Sequence, residues 1–320
     1  MWFLIRSVLF LLPTEFTHHL SYRFMRWIAP FLAPMNEKSS HLVGLAAGFD
    51  KNAEILTLLP KFGFGFAEIG TVTPKPQGGN ELPRLFRDPK RLALFNRMGF
   101  NNLGAGIISE RVRKAKKTLP PGFKVGVNLG KNKLTPDADA ALDYAKVADS
   151  FMDCADYFVI NVSSPNTPGL RSLQKPEFLI PIVRLVQEKI QNGGRSIPLY
   201  VKLAPELDVE SLREIILALE GENIAGLVLT NTLSGVYIYR EKEFQGGYSG
   251  RPLTELSLQR LKEVRAMTTL PIMSVGGIMT IEDAQARLDS GAQQIQIYTG
   301  WIYGGPFFIR KLVLNIGKNE

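Results

Sequence analysis

One rhythm runs through most of this 320-residue chain: a short apolar run, a polar break, then a stretch with helical spacing. The apolar runs lie near 42–47, 66–70, 123–128, 156–161, 198–203, 225–230, 271–275 and 293–298. Helical patterns fall at 52–59, 106–117, 137–154, 176–190, 209–220, 254–267 and 281–290, and a last one at 306–316 closes the chain. Strands joined through helices run parallel, and eight such units over about 275 residues close on themselves. The expected fold class is therefore α/β, a (β/α)8 TIM barrel with a short N-terminal helical extension. No linker or low-complexity stretch divides it, so the expected division is an extension over 1–35 and a barrel over 36–320.

In such a barrel chemistry sits at the C-terminal tips of the strands. The fourth apolar run stops at Asn161 and enters Val162, Ser163, Ser164, Pro165, Asn166, Thr167, Pro168 and Gly169, where proline and glycine forbid regular structure. An ordinary Asx/Ser turn explains any three of these residues but not the whole run. The other tips carry Lys51, Thr71, Asn128, Lys202, the run Thr230-Asn231-Thr232, the pair Gly276-Gly277 and the run Tyr298-Thr299-Gly300. Two connections, 71–104 and 231–253, are far longer than the usual ~2–6 residues and read as loops that cover a ligand.

This edge holds amides, hydroxyls and two lysines, with Asp50 and Glu68 as its nearest carboxylates. No metal is expected there, and no paired glycosidase carboxylates. Amides donate and accept at once, which suits a planar heterocycle edged by C=O and N–H groups. Gly-rich turns after the last two strands suit a phosphate. Together they imply a phosphorylated heterocyclic cofactor, and FMN fits.

Composition narrows the chemistry further. The only cysteine, Cys154, precedes its strand and is expected to pack, and His18, His19 and His41 all lie near the N-terminus. That pattern argues against disulfides, His-ligated zinc and histidine-based triads. Lys and Arg outnumber Asp and Glu, 38 to 30, but are scattered; an anionic small ligand satisfies that balance as well as RNA does. The N-terminal apolar run is too short to span a bilayer, which needs roughly 20 residues. Thr14 is the expected N-cap of a second helix over 15–28 with Phe16, Leu20, Phe24 and Trp27 on one side. A membrane-interface segment, a cap on the barrel floor and a dimer contact all remain open for these helices.

Several of these stretches are familiar. The runs Gly44-Leu45-Ala46-Ala47-Gly48-Phe49-Asp50-Lys51, Glu68-Ile69-Gly70-Thr71-Val72-Thr73-Pro74 and Asn96-Arg97-Met98-Gly99-Phe100-Asn101-Asn102, with the Asn161–Gln174 stretch, resemble dihydroorotate dehydrogenase. So do Gly246-Gly247-Tyr248-Ser249-Gly250-Arg251-Pro252-Leu253 and Val275-Gly276-Gly277-Ile278. Serine at 164 and the apolar extension with Glu15 and His18 resemble the class 2, quinone-reducing, membrane-associated branch.

The resemblance implies oxidation of (S)-dihydroorotate to orotate in pyrimidine synthesis, with Ser164 as the base at C5 and hydride leaving C6 for FMN. It implies Lys51 on the substrate carboxylate, with Asn96, Arg97, Met98, Gly99, Phe100, Asn161, Asn166, Asn231 and Thr232 around the substrate. Flavin contacts fall at Ala47, Gly48, Lys51, Thr71, Asn128, Asn161, Lys202, Thr230, Gly250, Gly277, Tyr298 and Thr299, and a quinone site at His18 and Arg87. The implied partners are dihydroorotate, orotate and a membrane quinone, with peripheral contact on the cytoplasmic side of the inner membrane, no nucleic acid and no obligate protein partner.

One departure is the compressed stretch 36–41, where the family carries an extra floor hairpin; it is expected to touch stability or the placement of the extension. A class 1 relative using fumarate or NAD would want cysteine at 164. An RNA-acting flavin reductase of the tRNA-dihydrouridine synthase type would want a catalytic cysteine and an added helical domain.

Overall fold

A computed structural model describes residues 2–33, 35, 38–167 and 169–316. Twelve strands are numbered in chain order: β1 Val43–Leu45, β2 Phe66–Val72, β3 Leu85–Asp88, β4 Ala93–Asn96, β5 Lys124–Leu129, β6 Tyr157–Asn161, β7 Leu199–Leu203, β8 Gly226–Leu229, β9 Leu233–Tyr239, β10 Lys242–Gly250, β11 Ile272–Val275 and β12 Gln294–Ile297. Eight of them close a parallel barrel in the order β1-β12-β11-β8-β7-β6-β5-β2, which is the architecture the rhythm implies.

The barrel is a filled core. Phe66, Tyr157, Val159, Val228, Met273 and Val275 pack inside it. Gly126 is required there: a Cβ on it would stand 2.0 Å from the Tyr157 ring. A larger apolar layer lies between strands and helices, where Cys154 packs as expected, its thiol pushed up to about 12 by burial.

Both long connections are more than loops. β3 and β4 come from the first and β9 and β10 from the second, and they join as one antiparallel sheet in the order β3-β4-β10-β9. Phe86, Phe95, Tyr237, Phe244 and Tyr248 cluster on this sheet with ring centroids about 5–6 Å apart. Aromatic cross-strand pairing of this kind stabilises a small sheet at the barrel mouth.

Three local expectations are corrected. No α-helix covers 52–58: Asp50 accepts from Glu54 N at 2.7 Å and Ile55 N at 2.9 Å, Ala53 turns left-handed at φ 56°, a 3-10 turn spans Leu56–Leu58, and the α-helix starts only at Leu59. The pattern over 137–154 is a 3-10 turn Asp137–Asp139, a helix Ala140–Ser150, then turns. Thr14 is not an N-cap but the first helical residue, because the Pro13 carbonyl already accepts from Thr17 N at 3.0 Å.

The N-terminal helices are α1 Trp2–Leu9 and α2 Thr14–Ile28. They are latched to the barrel by polar contacts. Trp2 Nε1 and Arg6 Nη1 donate to Tyr303 O at 3.0 and 2.8 Å, and Arg84 meets Glu15 through two bonds of 2.9 and 3.0 Å. Val8, Phe16 and Trp27 on these helices are exposed, as are Leu11 between them and Phe31 in the turn that follows. No described helix is long and apolar enough to cross a membrane. The compressed stretch lies partly outside the described residues; Lys38–Leu42 forms a 3-10 turn leading into β1.

Candidate active site

The loop after β6 is held from behind before it presents anything. Tyr144, on the helix Ala140–Ser150, donates its hydroxyl to Asn161 O at 2.8 Å and pins the strand end. Arg171 donates to Ser163 O at 3.0 Å and Thr232 O at 3.1 Å, tying this loop to the one after β8. Ser164 is thereby buried at the cavity wall, its Oγ accepting from Asn166 N at 3.2 Å. Asn166 Nδ2 in turn donates to Asn96 Oδ1 at 2.7 Å, at the end of β4.

Beneath the cavity lies a buried polar floor. Asn128 Nδ2 and Gln296 Nε2 donate to the two oxygens of Glu68 at 2.7 and 2.6 Å. Thr71 Oγ1 donates to Asn128 Oδ1 at 2.5 Å, and Asn161 Nδ2 bonds both Thr71 and Asn128 at 2.9 Å. Lys202 Nζ stands 3.9 Å from Glu68 Oε1. Burial pulls the Lys202 ammonium below its usual range, and the Glu68 charge opposes that. A buried carboxylate this fully hydrogen-bonded keeps a lysine in place.

The opposite end is a backbone cradle. Arg287, fully buried, donates to Thr254 O at 2.6 Å and Gly276 O at 3.1 Å, and Thr254 Oγ1 donates to Gly277 O at 2.6 Å. Those carbonyls are thus taken from behind the turn, while Gly276 and Gly277 themselves line the cavity. Gly277 has φ 70°, and a Cβ on it would meet Thr254 N at 2.3 Å, so no side chain can stand there.

The resulting cavity, counted together with the open space at its mouth, amounts to about 1060 Å³. It brings together most of the expected site residues. Ala47, Gly48, Thr71, Lys202, Thr230, Gly250, Tyr298 and Thr299 line it, as do Lys51, Asn96, Met98, Gly99, Phe100, Asn161, Asn231 and Thr232. Two expected contacts lie elsewhere. Asn128 sits one layer down, in the floor. Arg97 turns away: its guanidinium donates to Glu81 O and lies 5.4 Å from the Phe244 ring centroid, because the aromatic sheet outside offers it a face.

Lys51 Nζ donates to Asn101 Oδ1 at 2.5 Å. Burial, then the Arg84 charge, lower its ammonium to about 7, with Glu15 opposing.

Two buried acceptors in this wall, Asn166 Oδ1 and Gln296 Oε1, have no partner among the described residues. Unpaired buried acceptors are open to donors from water or from the N–H groups of a ligand. With a fixed cation at one end and a backbone cradle at the other, the residues fit a phosphorylated flavin and a small N–H-bearing ring.

A second cavity of about 810 Å³ lies under α1 and α2. His18 and Arg87 both line it, among Leu9, Phe10, Phe24 and Trp301. Arg87 Nη1 donates to Leu12 O at 2.7 Å, and its guanidinium lies 4.7 Å from the Phe10 ring centroid. Leu85, Leu94 and Tyr298 line both cavities and form the wall between them.

Some residues escaped the sequence reading. Gln296 was hidden inside an apolar run, although it shares the inward register of Tyr298, two positions on. Leu85 and Leu94 carried no signal, because nothing local marks an apolar residue as a partition. Arg287, on the helix Ile281–Asp289, was masked by ordinary amphipathic spacing.

The family described as dihydroorotate dehydrogenase matches residues 35–319. A Nocardia farcinica protein named dihydroorotate dehydrogenase (quinone) is 44% identical, with 98% of this chain and 91% of that one aligned. A protein of the same name from Anaeromyxobacter sp. is 42% identical, covering 97% and 91%. The crystal structure of DHODH from Eimeria tenella in complex with ferulenol superimposes with a TM-score of 0.82 at 34% identity, covering 92% of this chain and 89% of that one. On its sequence, its barrel and the cavity at its mouth, this chain belongs to the dihydroorotate dehydrogenase family.

Proposed function

We propose that the chain oxidises (S)-dihydroorotate to orotate, with FMN as hydride acceptor and a quinone as final electron acceptor. The observation that carries this reading is the pair of cavities: a polar one with unpartnered acceptors and a buried lysine, and an apolar one across the Leu85, Leu94 and Tyr298 wall. FMN, when bound, supplies the group that takes the hydride leaving C6 and passes electrons on.

The chain's own residues do the rest. Ser164 Oγ takes the C5 proton; a hydroxyl is a weak base alone, so the proton leaves through water or a neighbour such as buried Thr167. Lys202 holds positive charge where negative charge develops. Lys51 pairs with the substrate carboxylate, and the amides of Asn96, Asn166 and Asn231 hold the pyrimidine edge. Residues 1–35 form the quinone and membrane element and 36–320 the catalytic barrel. The exposed Leu11, Trp27 and Phe31 rest in a lipid interface, giving peripheral attachment on the cytoplasmic side.

The lowered Lys51 predicts a pH dependence of substrate capture. Below about 7 the ammonium is present and binds a carboxylate; as pH rises through about 7 the free site loses that charge. The kcat/KM for dihydroorotate is therefore expected to fall roughly tenfold per unit above the Lys51 pKa, while Lys51→Ala is uniformly weak and shows no such limb. A wild-type profile flat to about pH 9, well past that pKa, removes Lys51 from the substrate carboxylate.

A further inference from the structure

α2 places His18 and Tyr22 one turn apart, over the loop that follows β1. The buried Tyr22 hydroxyl stands 2.5 Å from Phe49 O and 3.1 Å from His18 Nε2. Two oxygens that close need a proton between them, and only the phenol has one to give. Tyr22 Oη can then only accept from His18, so the proton of a neutral ring is on Nε2 and Nδ1 is bare.

The surroundings keep both groups in those states. Burial, then Lys51 and His19, lower His18 to about 4, against a hydrogen bond to the Phe49 backbone carbonyl and the Glu15 charge. Burial first, then Asp50, Tyr298 and Glu54, with Arg26 opposing, raise the Tyr22 phenol well above its usual range. The Phe49 ring stands 5.0 Å from His18 and 5.4 Å from Tyr298, so this contact abuts the wall between the cavities.

We propose that Tyr22 is a positioning residue of the acceptor cavity: it locks His18 as the Nε2–H tautomer and leaves Nδ1 as a hydrogen-bond acceptor in a cavity that is also lined by Arg87, which can only donate. The proposal rests on reading that cavity as the quinone site. An oxidised quinone offers only acceptor oxygens, which suit Arg87; its reduced form has hydroxyl donors, which suit a bare ring nitrogen. The tautomer thus gives one cavity a partner for each form.

The test is nitrogen NMR of the full chain in detergent, labelled at its three histidines, with His18 assigned from a His18→Asn sample. The expected spectrum has one protonated Nε2 and one bare Nδ1 from His18 at neutral pH. In Tyr22→Phe the two signals should move toward their average, and flavin reoxidation by a short-chain quinone should slow about three- to tenfold, the scale of one hydrogen bond. Bleaching by dihydroorotate, read separately, reports whether the variant is intact; if it is not, Tyr22→Leu is the second variant. A wild-type Nδ1–H tautomer, or an unchanged Nε2–H signal in an intact variant, overturns the proposal. A wild-type flavin that dihydroorotate bleaches but no quinone reoxidises overturns the cavity reading, and Tyr22's part in the reaction with it.

Discussion

Ser164→Ala is expected to keep its flavin and lose dihydroorotate oxidation by about 100-fold or more, the usual range for removing a general base. The substitution removes one oxygen. That oxygen accepts only the Asn166 N–H among the described residues. The contacts that shape the wall, Asn166 to Asn96 at 2.7 Å and Arg171 to Ser163 O at 3.0 Å, do not pass through it. The floor of Glu68, Asn128 and Lys202 is untouched as well. Cofactor binding and catalysis should therefore separate cleanly. Rapid mixing with dihydroorotate under anaerobic conditions, followed at the flavin absorbance, measures the loss. Reduction at the wild-type rate would remove Ser164 from the mechanism.

Deleting residues 1–28 should divide the two half-reactions. The deletion removes Leu9, Phe10, His18 and Phe24 from the second cavity and none of the residues that line the first. Losing about 3 kcal/mol of apolar contact would lower quinone reoxidation by about 100-fold, while dihydroorotate still bleaches the flavin. A smaller effect on substrate affinity is expected too. Glu15 goes with the deletion and frees Arg84, which also donates to Asn80 O at 3.1 Å, and Asn80 Nδ2 bonds Asn166 O at 3.2 Å. Quinone kinetics equal to wild type would return α1 and α2 to a structural cap.

The barrel was legible because its signal repeats: eight apolar runs each sit within a residue or two of a strand. What failed was local. The turn over 52–55 depends on where the Asp50 carboxylate points, and the ends of a hydrophobic pattern do not reveal that. The sheet of β3, β4, β9 and β10 joins segments about 150 residues apart, as in the Asn96–Gly247 pair, and no single stretch announces a partner so remote. At the site, polar residues at strand tips were readable because polar groups there need a reason. Arg97 was readable from its motif but the direction of its side chain was not: the guanidinium faces outward, onto Glu81 O and the Phe244 ring. Tyr22 escaped because a tyrosine on an amphipathic helix reads as packing, and its meaning lies in 2.5 Å to a carbonyl 27 residues away.

If one cavity holds both the flavin and dihydroorotate, an anaerobic visible spectrum taken before and after adding dihydroorotate will show it. The expected result is a yellow protein whose flavin bands bleach on addition and return when a quinone is supplied. A yellow protein that dihydroorotate leaves yellow would rule out dihydroorotate as the substrate, because the flavin would then share its cavity with some other molecule.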